Sequence, residues 1–77
     1  MTKADMLVEY IISDIIGFII EDRNIKLDAA MNIFYNSKTF DNLQDKETGL
    51  YLDGSAYVYE LFKEEINAMT VNSSVEG

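Results

Sequence analysis

Neither cysteine nor histidine occurs in these 77 residues. Without cysteine no disulfide can form, and without both residues zinc, haem and iron–sulfur centres lose their usual ligands. Nucleophilic catalysis by a Ser–His or Cys–His pair is excluded for the same reason, since one member is always missing. Cations are scarce as well: 6 Lys and Arg stand against 14 Asp and Glu, for a formal net charge of −8. The acids are spread along the whole chain, and a uniformly acidic surface repels phosphate backbones and anionic lipid. It suits a basic protein partner, or it is simply a solvated surface. Glycine-rich phosphate cradles are also missing: neither GxGxxG nor GxxxxGKS or GxxxxGKT is present.

What the chain does have is one long apolar run near its start, Met6 to Ile20, MLVEYIISDIIGFII. On a helix advancing about 100° per residue, Val8, Ile11, Ile15, Phe18 and Ile19 share a side, flanked by Leu7 and Ile12. Asp5, Glu9, Ser13, Gly17 and Glu21 recur every fourth residue as a narrow polar stripe opposite. A strand would put Asp14 and Ile16 on one face, and the run is long for a strand. It is shorter than the roughly 20 residues of a membrane span, and Glu9 and Asp14 interrupt it. As a signal peptide it lacks a cleavage site of small residues and a clearly basic start, so the expectation is a cytoplasmic chain.

The apolar face of this helix is wider than one neighbour needs. Met6, Tyr10, Ile16 and Ile20 border or interrupt the polar stripe. Two readings follow. Other helices of the chain flank this one on both sides, or Ile16 and Ile20, beside Gly17, form a patch for a second molecule.

The rest of the chain reads as helices separated by polar breaks. Thr2 can cap the first helix with Asp5 three positions on, and Arg23 and Asn24 suit its end. Leu27, Ala30, Met31 and Phe34 have helical spacing, although Lys26 is a poor cap. Ser37 can cap a short helical piece over 38–44, with Phe40 and Leu43 inward. Residues 45–54 read as a loop punctuated by Gly49 and Gly54, with Leu50 and Leu52 extended beneath the bundle. Val58, Leu61, Phe62, Ile66 and Met69 line a last helix, capped by Ser55 or Asp53. The expectation is an all-α fold, a compact bundle of three main helices over about 5–23, 27–36 and 55–68, with a short helical turn near 38–44. Residues 1–69 form one helical domain and 70–77 a disordered tail. A domain this small has a marginal core, so its extra stability should come from tight helix packing or self-association.

Adjacent carboxylates, Glu21-Asp22 and Glu64-Glu65, fall at helix ends or solvated faces instead of in a cleft that would push their pKa values apart. Asp41, Asp45, Glu47 and Asp53 do not follow the order of a calcium-binding loop. A helix-turn-helix would present Ser55-Ala56-Tyr57-Val58 to DNA, an end with no Arg and only Lys63 further along, so phosphate anchoring fails. Tyr35, Tyr51, Tyr57 and Tyr59 are the most distinctive group, and Tyr57 and Tyr59 straddle the Val58–Leu61 core line. Tyrosine suits interfaces, having an apolar body and a polar tip, but these rings could equally roof a small core.

The segments FYNSKTF (Phe34–Phe40), ETGLYLDGSAYVYELFKEEI (Glu47–Ile66) and the Tyr10–Ile15 start resemble a family of small uncharacterised bacterial proteins, a domain of unknown function common in gut Firmicutes. The resemblance spans about Met6–Ile66. It implies a long apolar first helix, a middle helix, and a Tyr-bearing loop leading into the last helix. Relatives of this kind are often encoded beside ADP-ribosyltransferase-like or other toxin-like proteins, which implies an accessory or antitoxin-like role. The wider set often carries a histidine before the loop glycine; here Leu52-Asp53-Gly54 has none. The resemblance supplies no catalytic residue.

The resulting expectation is a non-catalytic protein-interaction module, with no catalytic residue, metal or cofactor and no nucleic-acid or membrane partner. Its partner is a toxin-like protein, or a second copy in a structural homo-oligomer. The surface candidates are Ile16, Ile20, Tyr51, Tyr57 and Tyr59.

Overall fold

Local chemistry at the helix ends sets most of the architecture. In the computed structural model, which describes residues 2–76 and the side chains of residues 2–69, α1 is Lys3–Arg23. The Thr2 hydroxyl accepts the Asp5 N–H at 3.1 Å and the Asp5 carboxylate accepts the Thr2 N–H at 3.3 Å, a reciprocal cap. The Lys46 ammonium pairs with the same carboxylate and, together with the Thr2 backbone and hydroxyl bonds, holds Asp5 below the usual carboxylate range. Asn24 ends the helix in the left-handed region, φ 55°, with its N–H on the Ile20 carbonyl.

Helix α2, Leu27–Tyr35, starts without a side-chain cap, as Lys26 predicts. Helix α3, Lys38–Gln44, starts at Ser37, whose hydroxyl accepts the Phe40 N–H at 3.1 Å and donates to the Phe34 carbonyl at 2.6 Å. Helix α4 is Ser55–Glu76. The expected tail over 70–77 lies outside the fully described residues. Among the described residues there are four α-helices and no strand, an all-α bundle.

The loop departs from the expectation. Residues 46–48 and 50–52 form two 3-10 turns, joined at Gly49, φ 70°. Three residues per turn separate positions i and i+2, so Leu50 and Leu52 cannot share a face. Leu50 is buried and Leu52 is exposed.

Helix α1 is the centre. It packs against α4, α2 and the second 3-10 turn, while α3 bridges α2 and α4. Ile15, Ile19, Ala30, Phe34, Leu43 and Val58 are fully buried. Phe34 meets Phe62 and Phe40 edge-on, with centroids 5.6 and 5.4 Å apart. Edge-to-face pairs of this kind add about 0.5–1.5 kcal/mol beyond the area they bury. The inner face of α1 is rotated from its expected centre: Ile16 is in the core, and Phe18 lies at its edge against the Tyr59 ring.

Candidate interaction surface

The five surface candidates separate. Ile16 and Tyr59 are buried, Ile20 and Tyr51 are half-buried against the core, and only Tyr57 is well exposed, at 51%. For Tyr59 the cause is the path of α4. Ser55, its first residue, donates from its hydroxyl to Asp14 at 2.5 Å, and Tyr59 donates to Asp22. Helix α4 therefore runs beside the C-terminal half of α1. Tyr59 is corrected from surface to core on that account; Ile16 is corrected too, as a member of the core on a side of α1 about 160° from Asp14. Tyr59 faces α1, and on the other flank of the Val58–Phe62 line Leu61 lines a groove between α3 and α4.

Tyr59 is held on every side. Its ring lies 5.1 Å from Phe18 and stacks near Phe62, and the Lys63 ammonium sits 5.0 Å from its centroid. Burial, then the hydrogen bond to Asp22, pushes its hydroxyl up to about 12. Tyr35 instead packs against Phe40, with centroids 4.9 Å apart and planes tilted by 52°. Among the described residues no tyrosine ring packs on another, so the tyrosines are not one site.

Glu65 is another correction. It was expected on a solvated face. Its carboxylate accepts the Lys38 N–H at 2.9 Å, the Thr39 N–H at 3.0 Å and the Thr39 hydroxyl at 2.8 Å, capping α3 from a distant helix. Burial pushes this carboxyl up, but those three hydrogen bonds together outweigh it and hold the group below its usual range. A sequence signal existed: Glu65 continues the Val58–Phe62 core line at helical spacing, and an acid on an inner line calls for a partner. The groove above it, about 340 Å³ between α3 and α4, is thus lined by a carboxylate already committed to backbone. Among the described residues no group of three acids is placed to hold a metal ion.

The open apolar surface lies at the other end of α1. Met6, Leu7 and Tyr10 are 59%, 41% and 66% exposed and, with Lys3, line a groove of about 400 Å³ whose walls are almost wholly apolar. In the sequence Met6 and Tyr10 also border the polar stripe, but the expected patch is Ile16 and Ile20 beside Gly17. The structure reverses the choice: Ile16 is buried and Ile20 half-buried, whereas Met6 and Tyr10 stand exposed. Among the described residues no helix is long and apolar enough to cross a membrane. No family model, curated protein or solved structure matches this chain.

Proposed function

We propose that this chain is a non-catalytic protein-interaction module that docks a partner over the first turns of α1. The observation that carries the reading is the exposed groove of Met6, Leu7 and Tyr10. Three large apolar side chains side by side in water are costly, and contiguous patches of that kind mark contact sites. The acidic surface and the accessory role implied by the resemblance to small bacterial proteins agree with this reading, with a toxin-like protein as the partner class. Cytoplasmic placement belongs to the same proposal.

Affinity capture from the source cells tests it, with the wild-type chain and Met6→Ser/Tyr10→Ser as baits. The reading expects one partner held in stoichiometric amount by the wild type and lost by the variant, while both melt within a few degrees. Equal capture by both baits refutes the groove as the docking surface.

A further inference from the structure

The groove belongs to a longer row. Lys3, Leu7, Tyr10, Asp14, Gly17 and Glu21 follow at alternating steps of four and three residues, so they form one nearly straight line along α1. The row has two halves. The first is apolar behind a single Lys; the second carries Asp14 and Glu21 on either side of Gly17.

Gly17 is the second observation. It sits in the middle of a 21-residue helix, where glycine is less stable than alanine. It is exposed, and a Cβ built on it meets nothing within 4 Å. No contact inside the chain requires a glycine there. A missing side chain does let another backbone come close.

We infer that the occupant of this face is a cationic amphipathic helix of another protein, laid along α1 from Lys3 to Glu21. Its apolar side chains fill the Met6–Leu7–Tyr10 groove. Its Lys or Arg residues meet Glu21 and the Asp14 carboxylate, one oxygen of which also accepts the Ser55 hydroxyl, and its backbone passes closest at Gly17. This inference deepens the interaction reading and rests on it. A second copy fits less well. In parallel pairing the acids of one row face those of the other. In antiparallel pairing Leu7 meets Tyr10 of the copy and Lys3 meets an Asp14 that already accepts the Ser55 hydroxyl, while Glu21 overhangs with no cation opposite. Two chains of charge −8 also repel.

The probe is a labelled 18-residue helical peptide of Leu and Lys, Leu on one face, titrated by fluorescence anisotropy and mapped by amide shifts in NMR. Two controls have the same length: a Leu/Glu helix, and an unstructured Lys/Ser peptide. The expected result is micromolar binding of the Leu/Lys peptide with shifts running from Lys3 to Glu21. Both controls bind at least tenfold weaker. Gly17→Phe weakens binding at least tenfold and leaves circular dichroism unchanged. Equal binding of the Leu/Glu helix at the groove overturns the cationic partner and leaves the interaction reading standing. Shifts confined to other faces, or none, overturn both. Sedimentation as a dimer at tens of micromolar, abolished by Tyr10→Ser, makes a second copy the occupant and overturns this inference.

Discussion

Replacing Glu65 by alanine deletes three hydrogen bonds at once, from the Lys38 N–H, the Thr39 N–H and the Thr39 hydroxyl. A hydrogen bond to a charged acceptor contributes about 1.5–3 kcal/mol, and a helix cap about 1 kcal/mol. The carboxylate is only half-buried, so water takes over part of its role at the two N–H groups. Thr39 is 5% exposed, so its hydroxyl is slower to find a replacement. Ser37 still caps Phe40. The net cost is about 2 kcal/mol, worth roughly 10 °C in melting temperature for a domain of this size. Urea unfolding followed by circular dichroism at pH 7 measures it. Glu65→Gln keeps an acceptor without the charge and should lose about half as much. Glu64→Ala, on the exposed neighbour, should stay within about 0.5 kcal/mol of wild type. The pH dependence has a definite sign. Glu65 is held below its ordinary value of 4.5, so its stabilisation is full above that value and is lost as pH falls through the lower folded one. The gap between wild type and Glu65→Gln therefore closes in acid. A Glu65→Ala protein as stable as wild type, or a Glu64→Ala protein equally damaged, refutes the tertiary cap.

Other outcomes follow from the same packing. Phe34 is fully buried and meets two rings edge-on, so Phe34→Ala should cost about 3–5 kcal/mol and leave the chain largely unfolded at 25 °C by circular dichroism. Tyr59 should ionise near 12, and the step in absorbance at that pH should vanish in Tyr59→Phe. Its folded hydroxyl holds its proton more tightly than the unfolded one, so this contribution is present below pH 10 and fades between 10 and about 12. Gly17→Ala should raise stability by up to about 1 kcal/mol in urea, since its methyl enters open space; a loss would mean that the surrounding face is not free.

What the amino-acid order determined by itself is whatever acts within four or five residues. The Thr2–Asp5 reciprocal cap, the Asn24 exit, the Ser37 cap and the 38–44 helix are local chemistry, and each is found where the residues predict it. The 3.6-residue period likewise marked Ile11, Ile15 and Ile19 as interior, and they are. Coverage of the helix borders was not legible. Met6, Tyr10, Ile16 and Ile20 have the same standing beside the polar stripe, and only the paths of the elements packed on α1 separate them. The path of α4 is pinned by contacts between residues 41 and 37 apart, Ser55 to Asp14 and Tyr59 to Asp22. Glu65 found its role across a similar distance, on the N–H groups of α3. Helical periodicity says which residues want to leave water. Which of them succeed depends on where a second helix lies, and that is decided by the packing of the whole chain.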